Sequence, residues 1–433
     1  MTDATAPAPA ASHTTGGAFY RLVWKWHFLA SLYVLPFMAM LAITGGVYLY
    51  KPQIENWLYA DRMHVEATGD TLPLKAQITA LANHSGITRL RGVTDFDDPS
   101  RSTFIEFNDS HKIRSYAWVN PYSGEVLGTV ARDETAMRML KKLHGELLLG
   151  KFGTKFVELS AHWAIVMFIT GAYLWWPRGN RTLKQAVSPP AGSPKKGRSW
   201  WRETHLFTGL LATVLVVPIL ITGLPWTDVW GAGLSYVQQE TGQKSQSLRF
   251  SRSLPNSTTS EGTQIGYEDV FAIAKSEGLV APYEMRPPRN EKAAFWIRSS
   301  SRNRYEQSEL IIDQYSGAVL KRFNFAENPP VAKAVSLGIS FHQGELYGRL
   351  NLIQNTIAAI LAFALALTGF VAWWKRRPIG KLGVPNAPYA ALSPAMIALV
   401  IFLSMLFPLV GASLMIALIL DWLIFRRLGW FKT

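Results

Sequence analysis

The sequence has no cysteine among its 433 residues. This absence excludes disulfide bonds, thiolate zinc sites, iron–sulfur clusters and a cysteine nucleophile. Acidic residues are also scarce, with 30 Asp and Glu against 44 Lys and Arg. No phosphate loop, dinucleotide-binding fingerprint or Ser/His/Asp motif occurs in a convincing context. Any metal would therefore have to be held by histidine or carboxylate side chains.

Long apolar runs, in contrast, are plentiful, and several exceed the roughly 18 residues that indicate a membrane span. The net charge of +14 would suggest a nucleic-acid partner in a soluble protein. Here the basic residues cluster beside the apolar runs. Residues 177–202, for example, contain seven Lys or Arg and no Asp or Glu. The positive-inside rule explains this pattern better, so we expect membrane lipid as a partner and no nucleic acid.

The alternation of apolar runs and polar segments predicts an α-helical membrane protein with α+β domains outside the cytoplasm and a four-helix core. A last apolar stretch is too long for one untilted span and short for two, so it is either one helix or a hairpin broken near Pro408. In chain order we predict a disordered cytoplasmic tail (1–19), a first span (20–50), an outer domain (51–143), an outer segment with the second span (144–176), a basic cytoplasmic loop (177–202), a third span (203–224), a second outer domain (225–335), an outer segment with the fourth span (336–374), a second basic loop (375–393), the last helix or hairpin (394–425) and a tail (426–433).

The two halves of the sequence resemble each other. "AWVNPYSGEVLG" (117–128) matches "LIIDQYSGAVLK" (310–321), and "KKLHGELLLG" (141–150) matches "ISFHQGELYG" (339–348). A Thr-Gly pair occurs near one end of each predicted span: Thr44-Gly45, Thr170-Gly171, Thr222-Gly223 and Thr368-Gly369. These matches predict a tandem repeat of helix, outer domain and helix, whose copies are related by a pseudo-two-fold axis along the membrane normal.

Four of the nine histidines occupy matched positions of this repeat. His27 and His205 each precede a Thr-Gly glycine by 18 residues and lie near the predicted cytoplasmic face, whereas His144 and His342 lie near the outer face. Two neutral imidazoles that face each other are what the iron of a b-type haem needs as axial ligands. The pattern predicts two haem b groups, one near each face; simple anchoring at the membrane interface is the alternative.

His162 has no matched partner, because Ile360 occupies the equivalent position. It lies deep in the second predicted span, and Glu158 is one helical turn away. Ionisable residues inside the membrane are commonly functional. We interpret the pair as an alternative outer haem ligand, as a proton path, or as a hydrogen bond that packs helices.

Basic residues near the matched histidines are candidates for pairing with haem propionates. Lys151 and Arg349 are equivalent in the repeat and lie close to the outer histidines. Arg21 and Arg202 lie close to the inner ones. Snorkelling of long basic side chains to the interface is the alternative for each of them.

These motifs resemble the PepSY-associated transmembrane proteins, which include inner-membrane ferric-siderophore reductases and related iron-uptake proteins. The resemblance covers nearly the whole chain from about residue 20. It rests on "WKWHFLASLY", "WRETHLFTGLL", "LHGELLLGKFG", "LPWTDVWG", "FHQGELYG", "TGFVAWWKRRP" and the two segments "NPYSGEVLG" and "DQYSGAVLK".

The resemblance implies a haem-containing membrane reductase that acts on ferric siderophores at the outer face. His27, His144, His205 and His342 match the motif histidines of the family. The electron donor would be quinol or a cytoplasmic reductase. Because isolated PepSY domains are also linked to peptidase inhibition, the alternative is a non-catalytic membrane regulator that binds a periplasmic protein partner or peptidase.

Overall fold

The computed structural model describes residues 15–189, 197–250, 254–258, 263–387 and 392–423. Its helices, in chain order, are α1 (Thr15–Leu49), α2 (Lys51–Leu58), α3 (Ala60–Met63), α4 (Leu74–Ser85), α5 (Ala136–Glu146), α6 (Gly150–Trp175), α7 (Leu183–Val187), α8 (Arg198–Gly223), α9 (Val229–Glu240), α10 (Tyr267–Ser276), α11 (Pro330–His342), α12 (Arg349–Trp374), α13 (Pro394–Leu406) and α14 (Pro408–Asp421). Its strands are β1 (Arg89–Asp95), β2 (Thr103–Asn108), β3 (Arg114–Val119), β4 (Val126–Ala131), β5 (Tyr283–Arg286), β6 (Phe295–Ser299), β7 (Ser308–Ile312) and β8 (Val319–Asn324).

Within the described ranges, four helices, α1, α6, α8 and α12, are long and apolar enough to cross a membrane. They correspond to the four predicted spans. The predicted tail is partly wrong, because residues 15–19 already belong to α1, whereas residues 1–14 lie outside the described ranges. The second tail (426–433) and parts of both basic loops (190–196 and 388–391) also lie outside them.

The chain divides into two compact units. The helical unit comprises the described parts of Met1–Ile43, Thr154–Trp230 and Ile357–Thr433. The sheet unit comprises the described parts of Thr44–Gly153 and Gly231–Thr356.

Small side chains shape the core of the helical unit. Its buried centre consists of Phe168 from α6, Ala212 and Val216 from α8, and Ala358 and Ala362 from α12. Helices in a membrane gain little from hydrophobic burial against one another, so they associate by close packing, which alanine allows. The small alanine side chains therefore let the Phe168 ring of α6 pack against α8 and α12.

The last apolar stretch is two short helices rather than one. Helix α13 ends at Leu406 and α14 begins at Pro408. Proline cannot donate the backbone hydrogen bond that would continue the helix. A Cβ atom placed on Gly411 would lie 2.9 Å from the Cβ atom of Ser404, so this glycine permits a close approach at the break.

The sheet unit contains one antiparallel sheet of eight strands in the order β4-β3-β2-β1-β5-β6-β7-β8. Strands β1 and β5 pair at its centre, with Val93 opposite Met285 and Asp95 opposite Tyr283. The two predicted outer domains thus share a single sheet. Because β1 and β5 pair with each other, neither strand is left as an exposed sheet edge.

Apolar residues of α4 and α10 cover one face of this sheet. Leu81 and Val270 from the helices pack with Ile105, Phe107 and Ile297 from the strands, and all five side chains are almost completely buried. Ile105 and Phe107 alternate with more exposed residues along β2, as a strand with one buried face requires.

Two turns of the sheet have the same hydrogen bonds. In the β3–β4 turn, Asn120 Oδ1 accepts from the backbone N–H two residues later at 2.9 Å, and Asp313 Oδ1 does the same in the β7–β8 turn at 2.8 Å. Gly124 and Gly317 follow with φ of 77° and 73°, a left-handed conformation that glycine adopts without strain. The two matching "YSG" segments of the sequence therefore form the same kind of turn.

Candidate cofactor site

The helical unit contains a cavity of about 540 Å³ between α1, α6, α8 and α12. This volume lies within the range of roughly 300–1,000 Å³ that is usual for small-molecule and cofactor sites. Most of its walls are apolar, and His27 and His205 both line it. The structure thus brings the two predicted inner histidines to one cavity.

The Thr170 hydroxyl fixes the tautomer of His27. Its Oγ1 atom lies 3.1 Å from the carbonyl oxygens of Val166 and Met167, to which it donates its single proton, and 2.9 Å from His27 Nδ1. Nδ1 must therefore carry the proton and donate to Thr170. The lone pair is left on Nε2, which has no hydrogen-bond partner within the described ranges.

His205 is held in the same way by α12. Its Nδ1 lies 3.2 Å from the carbonyl oxygen of Leu365 and 3.3 Å from Thr368 Oγ1. A carbonyl oxygen only accepts, so Nδ1 carries the proton here too. The Thr368 hydroxyl donates to the carbonyl of Ala364 at 2.7 Å. The Nε2 lone pair of His205 is therefore available to bind a metal.

The glycines of the Thr-Gly pairs leave room for the imidazole rings. A Cβ atom on Gly369 would lie 3.0 Å from His205 Cε1, and one on Gly171 would lie 3.4 Å from His27 Cε1. The sequence analysis found these pairs but gave them no role. The equal spacing in the sequence linked His27 with Gly45 and His205 with Gly223, whereas the structure places Gly171 beside His27 and Gly369 beside His205.

Arginine side chains line the same cavity. Among the predicted propionate partners, Arg202 lies on it and pairs with Glu203 at 2.9 Å. Arg21 does not line it, and its Nε atom is buried without a partner in the described part of the chain. Arg198 and Arg376 also line the cavity, which the sequence analysis missed. All three lining arginines can pair with an anionic group.

The sheet unit repeats the histidine arrangement once more. His144 Nδ1 lies 2.9 Å from Thr44 Oγ1, and a Cβ atom on Gly45 would lie 3.0 Å from His144 Cε1. Burial lowers the pKa of His144 to about 4, and the imidazole of His342 contributes to the same shift. His144 is therefore neutral at pH 7, and His342 lies near enough to influence it.

Two buried asparagines hold the turn after His342, the last residue of α11. Asn355 Nδ2 donates to the carbonyl of His342 at 3.2 Å and to that of Phe341 at 2.5 Å. Asn351 Oδ1 accepts from the Leu346 N–H at 3.0 Å. These contacts fix the backbone on which His342 sits. No sequence pattern indicated a role for these asparagines.

The repeated glycine after each outer histidine ends a turn. Gly150 and Gly348 have φ of 60° and 68°, and the spanning helices α6 and α12 begin there. Lys151 and Arg349 follow directly and are exposed. Glycine suits both positions because it adopts this left-handed conformation without strain.

His162 is placed very differently. Its side chain is fully buried, its ring lies 4.7 Å from that of Phe407, and neither ring nitrogen has a hydrogen-bond partner within the described ranges. Its Nε2 is 4.0 Å from Glu158 Oε1, beyond hydrogen-bond distance. Glu158 instead accepts from the N–H groups of Val229 and Trp230 at the start of α9. His162 does not line the cavity.

No group of three or more His, Asp or Glu side chains in the described ranges is arranged to hold a metal ion. His27 and His205 instead share one cavity, and each has its Nδ1 hydrogen-bonded. Neutral imidazoles held in this way can bind the iron of a haem.

Comparison with known protein families identifies a transmembrane region that overlaps all four long apolar helices. A protein-family model described as the PepSY-associated TM region matches residues 24–376. No curated protein sequence matches the chain.

Proposed function

The chain belongs to the PepSY-associated transmembrane family, and we propose that this membrane protein is a haem-containing ferric-siderophore reductase of the bacterial inner membrane. It would pass electrons from quinol or a cytoplasmic reductase across the bilayer to ferric iron in siderophore chelates on the periplasmic side, which supports iron uptake. One observation carries the proposal. His27 and His205 line one cavity, each with Nδ1 hydrogen-bonded and Nε2 unpaired.

The residues around this cavity fit a b-type haem. Axial imidazoles are held by a hydrogen bond from the second ring nitrogen in most such sites, and Thr170 and the Leu365 carbonyl accept these bonds here. The apolar walls suit a porphyrin. The guanidinium groups of Arg198, Arg202 and Arg376 suit its propionates.

A second haem is proposed between His144 and His342 in the sheet unit. His144 contacts a Thr-Gly pair in the same way as His27 and His205, and it is neutral at pH 7. Lys151 and Arg349 remain candidate propionate partners there.

Haem iron supplies a one-electron couple between its ferric and ferrous states. Ferric iron that accepts one electron becomes ferrous, and hard oxygen ligands hold ferrous iron less tightly. The siderophore would then release its metal without being degraded. The chain's own part is to hold the imidazoles neutral and oriented and to balance the propionate charge.

The proposed topology follows from charge. The basic loops 177–202 and 375–393 favour the cytoplasm, which places the N-terminus there and the sheet unit in the periplasm. Arg198, Arg202 and Arg376 line the cavity with His27 and His205, which favours a position of that cavity near the cytoplasmic face. Matching turns and the mirrored strand order support the proposed tandem duplication.

The test is optical. Protein purified in detergent from haem-replete cells should show a Soret band that shifts on dithionite reduction, with the low-spin spectrum of bis-imidazole haem. Ferrioxamine should then reoxidise the reduced protein, and a ferrous-iron trap should colour at the same rate.

Iron-free siderophore is the control and should leave the protein reduced. The variant His342→Ala should lose the outer haem and the reaction with ferrioxamine while it keeps the inner haem. A colourless preparation would exclude the reductase and favour the regulator that binds a periplasmic partner. If the protein binds haem but no ferric chelate reoxidises the reduced haem, ferric-chelate reduction would be excluded and haem binding would stand.

A further inference from the structure

The sheet unit contains a cavity of about 340 Å³ that none of the predicted haem ligands lines. It lies between α4, the connection from β1 to β2, and the turn after β3. Residues of all three segments line it, together with two residues of α10. Its volume is at the lower end of the range for small-molecule sites.

Two buried polar side chains line this cavity without a full set of partners. The amide of Gln77 is 3% exposed, and its Nε2 donates to the Leu72 carbonyl at 2.9 Å. That bond fixes the amide, so Oε1 is left without a donor in the described part of the chain. Ser102 is 2% exposed, and its Oγ has no partner there either. Such buried polar groups destabilise a fold unless a ligand or water satisfies them.

The cavity carries negative charge. Four carboxylates line it, Asp95, Asp97, Asp98 and Glu268, against the single guanidinium of Arg101. Asp97 is neutralised by Lys275 at 3.0 Å, and Glu268 accepts from the N–H of Leu74. Asp95 and Asp98 have no ion-pair partner within the described ranges. Burial raises the pKa of the Asp95 carboxyl, and a bound cation would oppose that shift.

Arg101 provides a donor at the same place. Its guanidinium lies 4.1 Å from the centre of the Phe96 ring, a cation–π contact that holds the side chain. Its Nε is buried and has no acceptor within the described ranges. The cavity therefore offers an unpaired acceptor, two unpaired donors and excess negative charge.

In the other half of the sheet, the position that matches Pro121 carries a side chain bonded to the chain's own backbone. The Leu72 N–H donates to the Pro121 carbonyl at 2.7 Å, and the Ile265 N–H donates to the Gln314 carbonyl at 2.9 Å, so these two positions correspond. Pro121 lines the cavity. The amide of Gln314, in contrast, is buried and donates to the carbonyl of Ala293 at 2.5 Å.

The corresponding helices differ in the same sense. With the same offset of 193 residues, Gln77 of α4 corresponds to Val270 of α10, a fully buried core residue. The fold therefore accepts an apolar side chain at this position. A glutamine there, with its acceptor unpaired, is not needed to build the domain.

We propose that this cavity binds a small organic cation, a molecule with an ammonium group and a hydrogen-bond acceptor. The ammonium would donate to Gln77 Oε1 and the Asp95 carboxylate, and the acceptor would receive from Ser102 Oγ and Arg101 Nε. A bare metal ion is a poorer fit, because the described residues hold no cluster of three or more ligating side chains. This inference does not depend on haem.

The test uses three probes that differ at one end. They are 6-aminohexanamide, the neutral hexanamide and the anionic adipic acid monoamide. Saturation-transfer NMR on the full-length protein in detergent at pH 7 should show binding of the cation. Binding of the neutral probe should be about tenfold weaker, since a hydrogen bond between charged groups is lost. The anion should not bind.

Variants distinguish binding in the cavity from attraction of the cation to general surface charge. D95N should weaken binding of 6-aminohexanamide about tenfold, and S102A should weaken it about fivefold. E125Q removes an exposed carboxylate outside the cavity and should change nothing. Equal binding of all three probes, no binding of any, displacement by an equal concentration of CaCl2, or unchanged binding in both D95N and S102A would each overturn the proposal.

Discussion

His162 and the three histidines on Thr-Gly pairs illustrate two ways to place an imidazole in a helical protein. His162 is fully buried, and its ring nitrogens have no partners in the described part of the chain. His27, His144 and His205 are only partly buried, and each has Nδ1 hydrogen-bonded to the neighbouring element. The most buried of the four histidines is thus the one least prepared to hold a cofactor.

The difference shows what a ligand site needs beyond depth. An axial ligand must present an unprotonated nitrogen in a fixed direction, with free space in front of it. For His27 the acceptor for Nδ1 is Thr170, and for His205 it is the Leu365 carbonyl. The glycines of the Thr-Gly pairs leave the gap for Cε1, and the cavity supplies the space in front of both rings. His162 faces Phe407 and a carboxylate that already accepts two backbone N–H groups.

The largest predicted effect contrasts His205 with His162. In H205A one axial bond is lost, so we expect the inner haem to be absent and total haem per protein to fall by about half, from two groups to one. In H162A the haem content should be unchanged. Pyridine haemochrome analysis of both variants measures this directly.

The exposed His84 gives the matched control, and H84A should behave as the parent protein. Haem loss in H162A together with a full complement in H205A would reverse the comparison and reassign the ligand. Loss of both haems in every single variant would contradict two separate sites.

The sequence was sufficient to predict the four spans and to single out His27 and His205, which the structure brings to one cavity. Length and hydropathy define α1, α6, α8 and α12, and equal spacing pairs His27 with His205. These features depend on local composition or simple counting. The same reasoning could not decide whether His162 is a haem ligand, because its ring packs against Phe407, which is 245 residues away in the sequence.

Contacts between distant segments were the part that could not be predicted. The bond between Thr44 and His144 joins residues 100 positions apart. The pairing of β1 with β5 joins strands about 190 residues apart, and either strand could have been a sheet edge. Register and partner depend on tertiary packing in both cases, which periodicity does not encode.

A smaller effect is expected from the hydrogen bond to Nδ1. T170V removes the acceptor for His27 and keeps the shape of the side chain, so His27 can rotate or change tautomer. Loss of such a supporting contact typically lowers metal affinity about 10- to 100-fold. Haem titration of the apoprotein measures the change.

Thr213 provides the matched control for this substitution. It lines the same cavity, but its hydroxyl donates to the carbonyl of Gly209 in its own helix at 2.7 Å. T213V should therefore leave haem affinity nearly unchanged. Equal losses in T170V and T213V would indicate that any change in the cavity wall weakens binding, and that the Nδ1 bond has no special role.

The smallest effect distinguishes the two glycines of the inner site. In G369A the new methyl group would lie 3.0 Å from His205 Cε1, so the ring must shift, whereas in G171A it would lie at an ordinary contact distance of 3.4 Å from His27 Cε1. Forcing a methyl group into a packed site costs about 1 kcal/mol, or about fivefold in haem affinity. We expect this loss, with a changed electron paramagnetic resonance spectrum of the inner haem, in G369A only.

G233A, where no atom lies within 4 Å of the added Cβ, controls for a methyl group on a helix. Identical spectra and affinities for G369A and G171A would show that the glycines do not position the imidazoles.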